Sequence, residues 1–133
     1  MQLRALVFAA GTMAMIPGMA AAQSLSPMHN SGVTPSNIKG FRLIVGNPYS
    51  VKMTFLVIPM DTRFASVAKD AEVNFPEVTM APGMKRQVIV TFKIDPAVKE
   101  RTIGVCVQPK DLESTILPRV CGTYTGKLAG TSG

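Results

Sequence analysis

The chain contains two cysteines, Cys106 and Cys121, and they are the residues whose chemistry the sequence defines best. A dithiol redox centre needs close C-x-x-C spacing or a setting that lowers a thiol pKa, and neither is visible. A metal site needs more ligands, and the single histidine, His29, lies in a distant stretch rich in Ser, Pro and Asn. We therefore predict a structural disulfide. A redox role, free thiols and an intermolecular bond are the alternatives.

The residues around the cysteines favour this pairing. If Cys106 lies opposite Cys121 in an antiparallel hairpin, Ile103 faces Tyr124, and the apolar residues of both strands share one face while both cysteines share the other. Side chains that lie directly opposite are within reach of a disulfide. In the chain-entropy description, closing a loop of about 15 residues stabilises the fold by roughly 3 kcal/mol.

No other pattern points to catalysis or to a cofactor. A Ser-His-Asp arrangement would depend on His29, there is no Gly-rich phosphate loop, and the chain has no tryptophan for a sugar platform. We predict a protein that is not an enzyme, with no cofactor and no metal. The methionines at strand positions or beside turns are expected to pack in the core, although a copper site built from methionines and His29 remains an alternative: Met53, Met80 and Met84.

The first residues read as an export signal. Arg4 precedes an apolar run from Ala5 to Ile16, and the small residues of positions 20–22 follow, which is the order of a secretory signal peptide. The apolar run is shorter than the roughly 20 residues of a membrane-spanning helix. We predict a signal peptide over residues 1–22, no integral membrane segment after cleavage, and a location in the periplasm or at the cell surface.

The basic excess does not indicate a nucleic-acid partner. The formal net charge is +6, but the basic residues are scattered, and Lys85-Arg86 is the one adjacent pair. A scattered excess is typical of a solvated surface, whereas nucleic-acid binding needs a concentrated patch. We therefore expect no nucleic-acid partner for an exported chain of this kind.

The elements that position the cysteines are predicted to be strands. Apolar and polar residues alternate with a period of two in several short runs separated by turn signals, and no amphipathic helix of useful length is present. The run from Glu72 to Met80 is interrupted by Pro76 and is placed at a sheet edge. We predict a flexible lead-in over residues 23–37 with one short edge strand near Val33, a single immunoglobulin-like antiparallel β-sandwich of about seven strands with one disulfide over residues 38–128, and a tail over residues 129–133.

Four stretches of the chain resemble a known family: GFRLIVGNPYSVKMTFLVIP, FPEVTMAPGMKRQVIVTFKI, ERTIGVCVQP and LPRVCGTYTG. Their order resembles the N-terminal immunoglobulin-like domain of PapD-type periplasmic pilus chaperones, over about residues 39–127. Major-sperm-protein-like sandwiches share part of the pattern. The positions that carry the resemblance are the Asn-containing turn, the Pro-Gly turn, the acidic-Arg pair and the closing proline: Asn47, Pro82-Gly83, Glu100-Arg101 and Pro109.

The resemblance implies a role in the assembly of surface fibres. The family uses two basic residues to hold the terminal carboxylate of a subunit. Arg119 matches part of the second motif, but Cys121 stands where that motif has a lysine, and residues 23–37 hold no match for the first. We therefore predict an accessory or structural protein-interaction domain of a bacterial envelope or surface-fibre assembly. A PapD-like chaperone for fimbrial subunits and a small copper carrier are the alternatives.

The contact sites follow from the predicted sheet edges. An exposed edge offers unpaired backbone groups to a partner strand, here a fimbrial or other secreted subunit. We predict contacts at Arg119, Thr123 and Thr125 of the last strand, and at the edge interrupted by Pro76.

Overall fold

The computed structural model describes residues 24–110 and 118–130, which form two β-sheets packed face to face. The predicted immunoglobulin-like sandwich is confirmed, and the predicted signal peptide lies outside the described residues. The strands of the described residues are β1 (Ser24–Ser26), β2 (His29–Thr34), β3 (Ile38–Gly46), β4 (Met53–Met60), β5 (Ala71–Val73), β6 (Glu77–Met80), β7 (Lys85–Lys93), β8 (Glu100–Pro109) and β9 (Val120–Leu128).

The strands divide into a four-stranded sheet A, in the order β1-β3-β7-β5, and a five-stranded sheet B, in the order β2-β9-β8-β4-β6. All pairings in the two sheets are antiparallel except that of β2 with β9, which is parallel. No helix among the described residues has the length and hydrophobicity of a membrane span.

The core lies between the two sheets and is built by the alternation seen in the sequence. β3 and β7 pair over nine residues, from Ile38 opposite Lys93 to Gly46 opposite Lys85. Every second side chain of these strands is buried against sheet B, and complete burial of one such side chain stabilises the fold by about 1.5–3 kcal/mol. The buried cluster contains Leu25, Phe41, Leu43, Val45, Phe55, Val57, Val78, Met80, Val88, Val90, Phe92, Ile94, Ile103, Val105, Val107 and Tyr124.

The hairpin of β8 and β9 has the predicted register. Cys106 lies opposite Cys121, and Ile103 lies opposite Tyr124. The two cysteines form a disulfide with their Cα atoms 4.1 Å apart. The predicted disulfide pairing is therefore confirmed, and it coincides with the register that buries the apolar face.

The prediction of a flexible lead-in is wrong for residues 24–34. β1 pairs with β3 in sheet A and β2 pairs with β9 in sheet B, so the first strand of the fold passes from one sheet to the other at Pro27. Leu25 alone brings a large side chain from β1 into the core. The stretch looked like a loop because strands at a sheet edge bury few side chains and need little alternation. The edge strand expected near Val33 is β2.

The run interrupted by Pro76 is two strands. β5 is an edge of sheet A and β6 is an edge of sheet B, so the chain changes sheets between Val73 and Glu77. The predicted edge position is confirmed for both pieces. These two sheet changes, at Pro27 and before Glu77, explain why the described residues form nine short strands where about seven were expected.

Candidate functional site

Four strands form the edges of the two sheets in the described part of the chain, and β2 is the longest of them. β1 and β5 have three residues each and β6 has four, whereas β2 has six. β6 follows Pro76, and its Glu77 pairs with the Lys110 ammonium at 3.0 Å. Short length, proline and charge are the features that protect natural edges from pairing. β2 contains no proline, Asp, Glu, Lys or Arg, and it lacks these protections.

The backbone of β2 presents hydrogen-bonding groups to the open side. The Met28 carbonyl accepts the Thr123 N–H at 2.8 Å, and the Thr34 carbonyl accepts the Ala129 N–H, just after β9, at 2.7 Å. Backbone groups alternate in direction along a strand, so those of the odd-numbered residues point away from β9. No other strand of residues 24–110 and 118–130 lies on that side. The odd-numbered residues are His29, Ser31 and Val33, and the Ser31 N–H is bonded to the Asn30 side chain at 2.9 Å.

A shallow polar cavity lies on the outer face of sheet B, beside this edge. Its volume is about 390 Å³, and it is lined by His29, Asn30, Ser31, Thr123 and Thr125. The Thr123 hydroxyl lies 2.7 Å from Nδ1 of His29, and the Thr125 hydroxyl lies 2.7 Å from that of Thr102. Two predicted contact residues therefore meet in one cavity. The prediction that the last strand is a sheet edge is wrong, because β9 lies between β2 and β8 and its backbone is paired on both sides. Thr123 and Thr125 line the cavity with their side chains.

Arg119 lies apart from this cavity. It precedes β9, beyond the start of β2, and its guanidinium donates a hydrogen bond to the Phe64 carbonyl. The Phe64 ring packs on Gly104, where an added Cβ would lie 2.5 Å from a ring carbon. Gly104 and the fully buried Cys106 are on the same face of β8. Arg119 thus belongs to the group of residues that covers the disulfide hairpin.

The loop that carries Phe64 is closed by Asp61. The Asp61 carboxylate accepts the N–H groups of Arg63 and Ala65 at 3.1 and 2.9 Å and the Ser66 hydroxyl at 2.8 Å. The Ala65 and Ser66 hydrogen bonds lower the pKa of the Asp61 carboxyl, because they favour its charged form. The loop therefore has its own internal support, and the Arg119 hydrogen bond joins it to β9.

The edge at Pro76 carries an apolar surface. A cavity of about 530 Å³ is lined by Leu56, Ile58, Phe75 and Pro76 among others. The Phe75 side chain is 41% exposed, and the Arg86 guanidinium lies 5.1 Å from its ring centre. This second surface differs from the β2 edge because its contacts would be made by side chains.

The three methionines predicted to pack in the core have two different environments. Met53 and Met80 are register partners on β4 and β6 and pack against or within the core, whereas the prediction is wrong for Met84, which is 42% exposed. In the described ranges no three His, Cys, Asp or Glu side chains come together as a metal-binding group. His29 instead lies on the β2 edge, a place that the sequence alone did not predict.

No protein-family model and no curated protein sequence matches the chain. Solved structures do match it. The SafB chaperone of Salmonella enterica, in complex with the SafA pilin, is 15% identical with a TM-score of 0.67, over 84% of this chain and 57% of that chain. The periplasmic chaperone SfaE is 15% identical with a TM-score of 0.58, over 82% and 59%.

A single-domain structure matches over nearly its whole length. PapD-like domain 7 of human CEP192 is 12% identical, with a TM-score of 0.60 over 96% of each chain. The chain has a PapD-like fold. The predicted likeness to PapD-type chaperones is thus confirmed at the level of the fold, and this PapD-like domain spans little more than half the length of the two chaperones above.

The sequence predicted an edge strand near Val33, but it did not indicate that this strand begins at His29 or that it pairs with β9 and leaves its other side open. A signal for it exists, since Pro27 and Pro35 bracket a stretch without charge or proline. That signal says where a strand can form, but not which strand it joins or which side stays open.

Proposed function

We propose that the chain is a non-enzymatic, exported protein-interaction domain that binds an extended segment of a partner protein along β2. It would act as an accessory or structural component of a bacterial envelope or surface-fibre assembly. The observation that carries the proposal is the six-residue edge without proline or charge, whose odd-numbered backbone groups point away from the sheet.

Addition of a strand to this edge supplies both affinity and selectivity. Backbone hydrogen bonds to the outward groups of His29 and Val33 and to the Ser31 carbonyl each contribute about 0.5–1.5 kcal/mol net, independently of the partner sequence. The polar cavity with Thr123 and Thr125 receives a side chain of the partner. Arg119 lies on the same face beyond the start of β2, and it contacts a partner that extends in that direction.

The proposed location is the periplasm or the cell surface. The signal-peptide pattern of residues 1–22 supports it, and so does the likeness to SfaE, which is described as periplasmic. The pairing of the two cysteines is also in keeping with an oxidising compartment.

The decisive experiment is site-specific photo-crosslinking in the native envelope, with a photoreactive residue at position 33 or position 98. Val33 is 61% exposed on β2, and Val98 is 64% exposed in the turn between β7 and β8, so the two sites are matched in residue type and exposure. We expect one dominant exported protein to be captured at position 33 and not at position 98. The same products at both positions, or none at position 33, would contradict the proposal.

A chaperone for fimbrial subunits is the second candidate. It is favoured by the likeness to SafB, which was solved in complex with a pilin. A chaperone leaves its subunit before assembly is complete, whereas a structural component stays in the isolated fibre or envelope fraction. Quantification of this chain in purified surface fibres therefore separates the two: near-equal amounts with the partner favour a component, and absence with a soluble one-to-one complex favours a chaperone.

A further inference from the structure

The Lys39 side chain crosses the sandwich from sheet A to the β2 edge of sheet B. Its Cβ and Cγ lie 2.9 Å from the place that a Cβ of Gly126 would occupy, and its Cε and Nζ lie 2.9 and 3.2 Å from that of Gly32. Gly126 and Gly32 are register partners on β9 and β2. The aliphatic stem therefore passes beneath β9, and the ammonium ends beneath β2, in a trough that exists because neither glycine has a side chain.

The Lys39 ammonium has no anionic partner within the described ranges. It lies 4.8 Å from the centre of the Phe41 ring, and the ion pair found in those ranges is the distant one between Lys110 and Glu77. Lys39 is partly buried. A charge held among apolar atoms has lost part of its hydration, so a carboxylate brought to it from outside gains more than it would at a fully exposed lysine.

We propose that the partner segment bound along β2 carries an Asp or Glu side chain at the residue opposite Gly32, and that Lys39 binds this carboxylate. The inference rests on the proposed function, and it adds the chemistry of the partner. Lys39 lies on β3, so it occupies neither of the two basic positions that the chaperone resemblance implies.

The geometry of an added strand places that carboxylate within reach. A new strand lies about 4.8 Å from β2, and residues directly opposite have Cβ atoms about 4.5–5.5 Å apart on the same face of the sheet. The residue opposite Gly32 therefore faces the trough, with the Lys39 Nζ only 3.2 Å from the empty Cβ position of Gly32. The two or three bonds of an Asp or Glu side chain span the remaining distance.

The same geometry argues against a second copy of this chain as the occupant. β2 contains no carboxylate residue, so pairing of β2 with the β2 of another copy leaves both Lys39 ammonium groups without an anion. A different chain with an acidic residue in an extended segment supplies the carboxylate that the Lys39 ammonium lacks.

The test uses two nine-residue peptides of alternating Thr and Val that differ only in a central Glu or Gln. Each is titrated into the purified, isotope-labelled chain, and binding is followed by NMR at the Ser31 and Val33 amides and at Cε of Lys39. We expect the Glu peptide to bind about tenfold more tightly than the Gln peptide, since close charge pairs at interfaces show couplings of at least this size. The preference should shrink in high salt.

Two variants test whether the Lys39 ammonium causes the preference for the Glu peptide. Lys39→Met keeps the stem and removes the charge, so it should abolish the difference in affinity between the Glu and Gln peptides. Lys93→Met removes an exposed lysine of β7 and should retain the full difference. If Lys39→Met fails to fold, the comparison of the two peptides on the native chain, with the Lys39 Cε shift, still decides.

The outcomes separate this inference from the proposed function. Equal affinities with shifts at β2 would overturn the acidic partner and leave strand addition in place. A Glu preference that survives Lys39→Met would overturn it as well, since it would reflect the net positive charge of the chain. Failure of both peptides to shift the β2 amides, or concentration-dependent shifts there without peptide, would also overturn it, and photo-crosslinking at position 33 would then judge strand addition separately.

Discussion

Asn47 joins two turns from a buried position. Its side-chain amide donates to the carbonyls of Val51 and Met80 at 3.0 and 2.9 Å, and its side-chain oxygen accepts the Tyr49 N–H at 2.9 Å. Asn47 is 2% exposed. The sequence predicted an Asn-containing turn after β3, but the contact with Met80, 33 residues away, exists only because β4 and β6 are neighbours.

The first prediction concerns this residue. Asn47→Ala leaves the buried Met80 carbonyl without its side-chain donor and also removes the contacts with the Val51 carbonyl and the Tyr49 N–H, so we expect the free energy of unfolding to fall by about 1–3 kcal/mol. Urea unfolding measures the change. Asn37→Ala, at an exposed asparagine, serves as the matched control and should change it by less than about 0.5 kcal/mol. A loss at position 47 no larger than that of the control would contradict the role assigned to the side chain.

Tyr124 makes the free energy of unfolding depend on pH. Its ring is fully buried, its hydroxyl donates to the Pro27 carbonyl at 2.6 Å, and burial raises the pKa of Tyr124 from 10.0 to about 12. Because the folded-state pKa is raised, the unfolded chain loses this proton first as pH increases. The resulting stabilisation is complete below pH 10 and is lost between pH 10 and pH 12.

The second prediction follows from that window. The native chain should lose up to about 1.4 kcal/mol of unfolding free energy per pH unit above pH 10 through this group, and Tyr124→Phe should lack this component. Urea unfolding of both proteins at pH 9, 10 and 11 tests it, since other titrating groups cancel in the difference. Parallel pH profiles for the two proteins would show that Tyr124 ionises equally in the folded and unfolded chain.

The disulfide hairpin is the element that the sequence predicted most completely. The register of β8 and β9 follows from pairing Cys106 with Cys121, and the apolar pattern agrees with it, because a slip of one residue would turn Ile103 and Val105 away from the core. What the sequence did not indicate is that Cys106, on the face away from the core, is fully buried. The packing of Phe64 on Gly104 of the same face shows how a distant loop covers that side.

The third prediction concerns this disulfide. The sequence separation of 15 residues corresponds to a loss of roughly 3 kcal/mol of unfolding free energy on reduction. Urea unfolding with and without a reducing agent measures it. The double variant Cys106→Ala with Cys121→Ala controls for effects of the reagent and should not respond. An unchanged midpoint for the native chain on complete reduction would refute the structural role.

The β2 strand shows why a polar edge strand is only weakly marked in the sequence, where a short strand was expected near Val33 and the rest was read as a loop. Its even-numbered backbone groups face β9 and its odd-numbered groups face outward, although side-chain pattern alone made the segment look like a loop. Amide hydrogen exchange measures which backbone N–H groups of β2 are hydrogen-bonded.

The fourth prediction is that the amides of His29 and Val33 exchange with little protection, while those of Asn30 and Gly32 are protected by their pairing with β9. NMR-detected exchange of the isolated chain at low concentration is the measurement. The protected amides of the same strand are the internal control. Strong protection at positions 29 and 33 would mean that another segment or a second copy covers this edge.

At the scale of the whole molecule, the two sheets are joined by a strand that changes sides at Pro27 and by a second change before Glu77. These crossings leave four short edges in the described residues and make β2 the one suited to a partner. The PapD-like fold places the longest and least protected of these edges at β2, which is where we propose that a partner segment binds and that Lys39 contacts it.

The fifth prediction concerns export. Cleavage after Ala22 would give a mature chain that begins at Gln23, because the small residues of positions 20–22 match the cleavage pattern. Intact-mass measurement of the protein recovered from a periplasmic extract checks this. A substitution of Ala20 and Ala22 by bulky residues should block cleavage and retain the longer form, while a bulky apolar residue at Ala14, within the apolar run, should not. Recovery of the uncleaved chain from the native sequence would refute the signal peptide.

The sequence by itself determined the class of the fold, the disulfide and its register, because the register that pairs Cys106 with Cys121 also places the apolar residues of β8 and β9 on one shared face. It also determined the edge position of the Pro76 run, since proline cannot donate to a sheet. Only the tertiary structure decided that residues 24–34 form strands in two sheets, that β2 covers the backbone of Thr123 and Thr125, and that Lys39 reaches the open edge through Gly126 and Gly32. These features depend on which strands become neighbours, and hydrogen bonds between edge backbones leave almost no trace in side-chain pattern.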